Sequence, residues 1–476
     1  MKKFSLFLSV LTMLVVGLFI MPHTLVSAAE QPSMMDLIRE SNYQVEEGDK
    51  PKSAVLIDAN TGKLLWGENP DASHNPASIM KLMVIYLTYE AMEKGQFDME
   101  TKVTATPRHE QIANIYEISN NKIVAGVEYP IKELIPMALV PSSNVATMML
   151  AELVEPDAVV FLQKMNQKAQ ELGMTNTKIV NATGAEISSF RGLYGIEGVD
   201  AAQLDQTGSN VTTARDFAIF TYHLLNNYPQ ILDYTSTPTV STMVGTPYEE
   251  TFTTYNYSVP GADPDERNTS INYHLEGVDG LKTGSSPSGA FNIDMTAKRG
   301  DLRLIAIVFG VGHWEDQTGE FRRHPFANAM LNYGFNHFEV KEILPAGEQV
   351  IGEEKITLKQ PFIDVVNKED NPKPIINESN ELVLENPLPQ VSDTIQPIKG
   401  DFETAEQAKK SAAKKDGETN LLDDVKDVMD MSHPIAKWIF ILAGVILLLI
   451  LILIIFLARD HKKRKRARQM RGERFK

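Results

Sequence analysis

The residue types best suited to chemistry are a serine and a lysine three positions apart, Ser78 and Lys81, in the stretch Ser-Ile-Met-Lys. Residues i and i+3 share a face of a helix, so the lysine amine can lie beside the serine hydroxyl. A lysine buried among apolar residues such as 82–89 can have its pKa lowered enough to remove the serine proton. The same spacing recurs at Ser119 and Ser411 in polar surroundings, and the alternative interpretation of Ser78 is a helix N-cap.

The absence of certain residues and patterns narrows the chemistry further. The chain has no cysteine, which excludes disulfides, cysteine-ligated zinc, iron–sulfur clusters and thiol catalysis. It contains no His-Glu-x-x-His, Gly-x-Ser-x-Gly, P-loop or Gly-x-Gly-x-x-Gly pattern, which disfavours zinc hydrolysis, α/β-hydrolase chemistry and nucleotide binding. We therefore expect an oxygen or amine nucleophile, with no metal and no cofactor.

Two more polar clusters follow along the chain. Ser142 and Asn144 flank a serine in a turn between two apolar helices, where the ordinary interpretation is a helix N-cap. Lys282-Thr283-Gly284 occurs once, just ahead of a predicted strand. There the lysine can hold a carboxylate and the glycine lets a substrate backbone come close. The ordinary interpretation of this tripeptide is a turn at the start of the strand.

The hydrophobic periodicity predicts an α+β scaffold for these clusters. A hairpin is predicted at 53–66, and strands at 290–296 and 302–311 lie near the other end of the segment. Helical patterns fill the middle and return after the last strand, at 78–94, 131–140, 144–154, 157–172, 213–226 and 321–335. Strands at both ends of a helical middle predict one sheet that gathers both ends of the segment.

Taken in order, the three clusters resemble the serine penicillin-recognising enzymes, whose set is Ser-x-x-Lys, Ser-x-Asn and Lys-Thr-Gly. Four longer stretches, at 53–63, 75–83, 213–216 and 278–284, are similar to the serine-type D-alanyl-D-alanine carboxypeptidases. These are the low-molecular-mass penicillin-binding proteins of the peptidase S11 type. The resemblance covers about residues 35–400.

The resemblance also implies an organisation in domains. A β-lactamase/transpeptidase-like catalytic domain, with an antiparallel sheet and a helical subdomain, would occupy 35–337. A small all-β domain would follow at 338–400, where short β-type runs alternate with proline- and asparagine-bearing turns. The charged residues 401–437 predict a solvated spacer.

The same resemblance assigns catalytic roles. Ser78 would be the acylated nucleophile, Lys81 its base and Ser142 a proton relay. Attack on the D-Ala-D-Ala bond of a peptidoglycan pentapeptide would expel the last alanine, and water would then release the shortened stem peptide. A β-lactam would enter as a substrate mimic and stay covalently bound.

Substrate-binding roles follow in the same way. Asn144 would hold the substrate amide, while Lys282 and Thr283 would bind the terminal carboxylate. Gly284 would leave room for the substrate backbone. The oxyanion hole would consist of the backbone N–H groups of the nucleophile and of Ser285.

Three departures from the family pattern affect the surroundings of the site. Ser143 stands where these enzymes more often have glycine. Residues 181–185 read Asn-Ala-Thr-Gly-Ala in place of Asn-Pro-Thr-Gly-Leu, and Asn210 stands where many members have a histidine. We expect altered access or deacylation from these changes, with acylation retained.

Both ends of the chain predict contact with a membrane. Residues 1–29 have the pattern of a signal peptide cleaved after Ala28 or Ala29, or alternatively of an uncleaved anchor. Residues 438–458 are apolar, uncharged and of transmembrane length, and 459–476 hold ten basic residues against two acidic ones. We expect a single-pass cell-membrane protein with an extracytoplasmic catalytic domain and a cytoplasmic C-terminal tail.

Two other functions stay open at this point. A class A β-lactamase would also use Ser-x-x-Lys, but its Glu-x-x-Leu-Asn deacylation loop is absent from the sequence. A non-catalytic scaffold that binds cell-wall peptides and signals through its tail is disfavoured by the shortness of that tail. The expected partners are stem peptides ending in D-Ala-D-Ala, β-lactams and the cytoplasmic membrane. No nucleic-acid partner is expected, because the formal net charge of -16 argues against binding to phosphates.

Overall fold

A computed structural model describes residues 31–195, 203–262, 272–404 and 407. The predicted signal peptide, the predicted membrane helix and the basic tail lie outside these residues, as does nearly all of the predicted spacer. Within the described part of the chain, no helix is both long enough and apolar enough to cross a bilayer.

The described α-helices lie mostly in the middle of the chain: α1 (Met34–Glu40), α2 (Lys81–Glu93), α3 (Pro107–Ala113), α4 (Ile131–Leu139), α5 (Asn144–Val154), α6 (Ala158–Leu172), α7 (Ala214–Asn227), α8 (Leu232–Thr235) and α9 (Gly319–His337). The strands before α9 are β1 (Ser53–Asp58), β2 (Leu64–Glu68), β3 (Lys102–Thr104), β4 (Glu128–Pro130), β5 (Thr239–Thr242), β6 (Glu250–Thr253), β7 (Val278–Ser286), β8 (Ala290–Arg299) and β9 (Leu302–Val311). The strands after α9 are β10 (Phe338–Leu344), β11 (Gly347–Ile351), β12 (Glu354–Leu358), β13 (Phe362–Asn367), β14 (Pro374–Ile376), β15 (Leu382–Leu384) and β16 (Phe402–Thr404).

The main sheet has five strands in the order β2-β1-β9-β8-β7, with every neighbouring pair antiparallel. β1 pairs with β9 along its whole length, from Ser53 opposite Phe309 to Asp58 opposite Leu304. The prediction that one sheet gathers both ends of the segment is therefore confirmed. β7 forms an edge of this sheet and carries the Lys-Thr-Gly cluster.

Helices cover both faces of this sheet. Alternate residues such as Val55 and Ile307 join a core with α2, α4, α5, α6 and α7. The residues between them, such as Leu56 and Val308, join a second core with α1 and α9. This alternation follows from the two-residue period of a strand. Helix α2 is buried on nearly every side, as its apolar sequence predicts.

The β-rich residues after α9 divide between two compact units. The first unit contains the described residues up to Pro345 together with 361–400, and here β10 pairs with β13 and β14 with β15. The second unit contains 346–360 and the described residues after Gly400, and its sheet has the order β11-β12-β16. The all-β character expected after α9 is confirmed. β16 falls in the predicted spacer, because backbone pairing with β12 outweighs the polarity of its side chains.

A buried ion pair joins the residue before β2 to strand β13 within the first unit. Lys63, just before β2, and Asp364, in β13, are 1% and 3% exposed, with Nζ 2.6 Å from Oδ1. Lys63 Nζ also donates to the carbonyl oxygen of Val365 over 3.3 Å. Such a pair has little net effect on stability, but removing one partner leaves a buried charge without compensation.

We expect Asp364→Asn to lower the free energy of unfolding by about 3–5 kcal/mol, because the Lys63 charge stays buried. The double variant Lys63→Met/Asp364→Asn removes that charge and recovers most of the loss. Urea denaturation followed by tryptophan fluorescence measures both variants. Equal stability of Asp364→Asn and the wild type would contradict this account.

Candidate active site

Ser78 lies in the 3₁₀ helix Ala77–Met80, which leads directly into α2. The sequence predicts an α-helix here, but 3₁₀ geometry also brings residues i and i+3 together, since they eclipse. Lys81 Nζ donates a hydrogen bond to Ser78 Oγ over 2.9 Å. Neither helix uses Ser78 as its N-cap, so the capping alternative is wrong.

Lys81 has no solvent-exposed surface at the start of α2. Its Nζ also donates to the carbonyl oxygen of Thr183 over 2.8 Å. Burial holds the pKa of Lys81 well below its ordinary value, and the charge of nearby Lys282 lowers that pKa further. A lysine in this state can accept the Ser78 proton.

The segment that carries Thr183 packs closely against the nucleophile. A Cβ on Gly184 would lie 2.0 Å from the carbonyl oxygen of Ala77 and 2.7 Å from the backbone nitrogen of Ser78. Gly184 also has a φ of +86°, which favours glycine. In the sequence this segment is noticeable only as a variant of Asn-Pro-Thr-Gly. Its glycine is the one feature that could have indicated the close contact with the 3₁₀ helix.

Asn210, which we expect to stand at the position of the histidine of many family members, is buried and holds the same segment. Its Oδ1 accepts hydrogen bonds from the backbone N–H groups of Val180 and Asn181, over 2.8 and 3.0 Å. Its Nδ2 donates to the backbone oxygen and to Oδ1 of Asn181, over 2.9 and 3.1 Å. The amide therefore supports the segment without a titratable group. Its effect on access or deacylation stays a prediction.

Ser142 and Asn144 each keep a buried polar atom free. Ser142 is 5% exposed with a φ of +61°, and no described residue hydrogen-bonds its Oγ. Asn144 donates from Nδ2 to the carbonyl oxygen of Ser119 over 2.7 Å, and its Oδ1 has no partner among the described residues. The N-cap of α5 is Ser143, whose Oγ accepts from the N–H of Ala146. The capping interpretation therefore holds for the middle serine alone.

Lys282, Thr283, Gly284 and Ser285 lie inside β7, so the interpretation as a turn before a strand is wrong. Lys282 is 2% exposed and donates to the carbonyl oxygen of Thr283 over 3.0 Å. Burial lowers the pKa of Lys282 to about 7, with a further contribution from the Arg323 charge. A Cβ on Gly284 would lie 2.5 Å from the carbonyl oxygen of Pro76, so this glycine lets β7 approach the 3₁₀ helix.

Two residues of the site were given no role from the sequence, although Asn75 begins one of the stretches that resemble the family. Arg323 of α9 is 2% exposed, and its NH1 donates to Ser285 Oγ over 3.0 Å. Asn75 accepts from the Ala77 N–H with Oδ1, over 2.9 Å, and donates from Nδ2 to Ser288 Oγ over 2.8 Å. Each is a single polar residue whose partners are distant in the sequence or lie in an irregular segment. The hydrophobic periodicity around it therefore does not reveal its role.

A cleft of about 360 Å³ opens at the nucleophile, with Ser78, Asn144 and Ser285 in its wall. The other lining residues come from several loops: Asn75, Glu117, Ile118, Ser119, Gly184, Ala185, Glu186, Ser189, Ser209, Ser286, Pro287, Ser288 and Trp314. The predicted site residues Lys81, Ser142, Lys282 and Thr283 are buried. Among the residues that the structure describes, no group of three or more histidine, aspartate or glutamate side chains could hold a metal ion.

Comparison with family models gives two matches. The model Peptidase_S11, described as D-alanyl-D-alanine carboxypeptidase, matches residues 41–312, which is more than half of the chain. The model of a domain of unknown function, DUF1958, matches residues 340–403. The S11 match contains all eight residues predicted to form the site.

Individual relatives agree with the family match. D-alanyl-D-alanine carboxypeptidase DacF of Bacillus subtilis is 28% identical over 328 residues, which is 68% of this chain and 72% of DacF. DacA of Escherichia coli is 27% identical over 304 residues, which is 63% of this chain and 65% of DacA.

The crystal structure of a peptidoglycan synthesis regulatory factor, PBP3 of Streptococcus pneumoniae, has a TM-score of 0.60 at 24% identity, over 74% of this chain and 98% of that chain. The penicillin-binding-protein fold predicted from the sequence is thereby confirmed.

We expect Gly184→Ala to slow acylation of Ser78 by a fluorescent penicillin about 100-fold, because its Cβ would displace the backbone at Ala77 and Ser78. Gly192→Ala is the matched control, since Gly192 has a φ of +82° and its Cβ would meet nothing within 4 Å. Stopped-flow acylation rates compare the two variants. Equal slowing in both would assign the effect to backbone strain and contradict the contact with the nucleophile.

Proposed function

Because this chain belongs to the S11 peptidase family of D-alanyl-D-alanine carboxypeptidases, we propose that it removes the terminal D-alanine from peptidoglycan pentapeptides through an acyl-enzyme on Ser78. The observation that carries this proposal is the 2.9 Å hydrogen bond between Ser78 Oγ and the buried Lys81 amine. A nucleophile beside a desolvated base is the arrangement that acyl transfer requires.

Acylation begins when the neutral Lys81 amine takes the Ser78 proton and Oγ attacks the carbonyl carbon between the two D-alanines. The carbonyl electron pair moves onto oxygen, where the backbone N–H groups of Ser78 and Ser285 stabilise the oxyanion. The C–N bond then breaks and the proton passes from Lys81 to the departing D-alanine amine. Ser142 supports this relay, because its buried Oγ has no partner among the described residues.

Deacylation uses the same groups with water as the nucleophile. Lys81 takes a proton from the water molecule while the water oxygen adds to the acyl carbon. The C–Oγ bond breaks, and the proton returns to Ser78 Oγ. The products are the tetrapeptide and the free enzyme.

The terminal carboxylate of the substrate binds at Lys282 and Thr283 in this proposal. Only the protonated lysine attracts this anion, and with a pKa of about 7 the free enzyme holds Lys282 part-protonated at neutral pH. Bound carboxylate stabilises the ammonium form. Ser285 lies beside them on β7, with its hydroxyl held by Arg323. The free Oδ1 of Asn144 accepts a substrate amide N–H.

β-Lactams are proposed to acylate the same serine and to remain bound, since opening the lactam ring leaves no separate leaving group to diffuse away. Their carboxylate takes the place of the D-alanine carboxylate at Lys282.

For the whole protein, we propose a single-pass cell-membrane location with the catalytic domain outside. The support is the sequence alone: a signal-type N-terminus, the apolar residues 438–458 and the basic residues that follow them. This location would place the cleft beside its peptidoglycan substrate.

We expect Ser78→Ala in the full chain to abolish both release of D-alanine from a muropeptide pentapeptide and labelling by fluorescent penicillin, because among the described residues no other hydroxyl is hydrogen-bonded to Lys81 Nζ. Mass spectrometry of the muropeptide and gel fluorescence measure the two activities. Ser411→Ala is the control, since Ser411 has the same Ser-x-x-Lys spacing in the charged spacer. Labelling that survives Ser78→Ala would overturn the assignment, and rapid β-lactam turnover by the wild type would favour a β-lactamase.

We expect the full chain to stay in the membrane pellet after alkaline carbonate extraction, whereas a chain that ends at residue 437 is released. Immunoblots of the two fractions provide the measurement. In intact protoplasts, added protease should degrade the catalytic domain and spare an epitope on the tail. Carbonate release of the full chain would contradict the membrane helix.

A further inference from the structure

One face of β8 carries three polar side chains at alternate positions, Asn292, Asp294 and Thr296, and none of them has exposed surface. Asn292 is satisfied at both ends, because Nδ2 donates to the backbone oxygen of Asn75 and Oδ1 accepts from the N–H of Gly310. The hydroxyl of Thr296 donates to a backbone oxygen of β9 over 2.9 Å. These two residues have the pairing expected of buried polar groups.

Asp294 differs from its two neighbours. Its Oδ2 accepts a hydrogen bond of 2.6 Å from the hydroxyl of Thr221 in α7. Its Oδ1 has no partner among the described residues. A buried carboxyl oxygen without a donor is costly for the fold, and it points to a role that the free protein leaves incomplete. The proposed reaction does not use Asp294.

Lys282 lies directly opposite Asp294 in the β7–β8 pair. Residues opposite each other in an antiparallel pair share a face, with Cβ atoms about 4.5–5.5 Å apart. The neighbours of Lys282 on the same face of β7 are Gly280 and Gly284. Because glycine has no side chain, no β7 residue next to Lys282 on this face competes with the lysine for Asp294. Lys282 Nζ uses one donor, toward the carbonyl oxygen of Thr283, and no ion pair with Asp294 is formed in this structure.

The charges around this pair explain why a carboxyl group is useful here. Arg323 acts on Lys282 as a neighbouring cation, which disfavours the protonated Lys282 amine, and the charge of Lys282 in turn lowers the pKa of Lys81. Asp294 is faced by Lys282 from β7, by the neutral Thr221 from α7 and by Ile307 from β9. Burial lowers the pKa of Lys282 to about 7 and raises the pKa of Asp294 to about 7, so burial disfavours the charged form of both groups.

We propose that Asp294 is a positioning residue for the carboxylate site, which holds Lys282 protonated and aligned for the anionic end of the substrate. This inference rests on the proposed function, since the anion is the D-alanine carboxylate. The step is a proton transfer: the O–H bond of the Asp294 carboxyl breaks as an N–H bond forms on the Lys282 amine. The products are a carboxylate and an ammonium group, and the net charge is unchanged.

The first test needs no substrate. The ionisation of Lys282 is followed by NMR of the full chain labelled with [ε-¹³C]lysine, and its signal is assigned with Lys282→Arg. We expect Asp294→Asn to lower the pKa of Lys282 by roughly one unit, because an opposite charge nearby favours the ammonium form. Thr296→Val is the matched control on the same face and should leave that pKa unchanged. An unchanged value in Asp294→Asn would overturn the proposal.

Thr221→Val provides a second variant in case Asp294→Asn does not fold. Loss of the Thr221 hydrogen bond destabilises the Asp294 carboxylate, so the pKa of Lys282 should fall by a smaller amount. A rise, or no change, in this variant would contradict the proposal.

The second test uses the pH dependence of kcat/KM for pentapeptide cleavage. The decline of kcat/KM at high pH reports loss of the Lys282 proton, and Asp294→Asn should move it to lower pH by the shift found by NMR. In a Lys282→Arg background the same substitution should have no such effect, because arginine stays protonated. An equal shift in that background would assign a merely structural role to Asp294. Absence of D-alanine release from the wild type would count against the proposed function and leave the NMR titration to decide on Asp294.

Discussion

The proposed active site depends on keeping two lysine amines in one buried environment while giving them different charge states. In the proposed reaction Lys81 has to be neutral to take a proton, and Lys282 has to be protonated to hold an anion. Burial lowers the pKa of both, and the charge of Lys282 lowers the pKa of Lys81 further. Exclusion of water is therefore a requirement of the chemistry, which explains why α2 is buried on almost every side although it carries a charged residue type at its first position.

Close backbone contacts hold the chain segments of this site together. Gly184 lets the Thr183 segment come close to the backbone of Ala77 and Ser78, and Gly284 lets β7 come close to the backbone of Pro76 and Ile79. The 3₁₀ helix that carries Ser78 is thus held by two close main-chain contacts. Asn210 supports the first contact and the hydrogen bond from Arg323 to Ser285 supports the second. Such support is what fixes reacting groups to within tenths of an ångström.

Local patterns in the sequence predicted the parts of the site whose structure depends on interactions between residues close together in the chain. Ser78 and Lys81 were found because their spacing and the apolar run after them act within one helical turn. The long strand β7 was missed because Lys-Thr-Gly-Ser-Ser has no strand-like alternation, and its pairing with β8 decides its structure. Arg323 and Asp294 were missed because their meaning comes from partners on other elements. The sequence left open whether Ser78 caps a helix and whether Lys282 lies in a turn. The structure decides both questions, because it shows which helix or strand each residue belongs to.

The pairing of β1 with β9 has a consequence for the order in which the protein becomes active. Strand β1 pairs with β2 nearby in the chain, but its other neighbour, β9, is complete only after residue 311 has been synthesised, and such long-range pairing forms late in folding. Ile305 and Ile307 of β9 belong to the core that surrounds α2, so the burial that lowers the pKa of Lys81 is incomplete until then. An incomplete chain therefore carries Ser78 without the fully buried amine that the proposed reaction uses as its base.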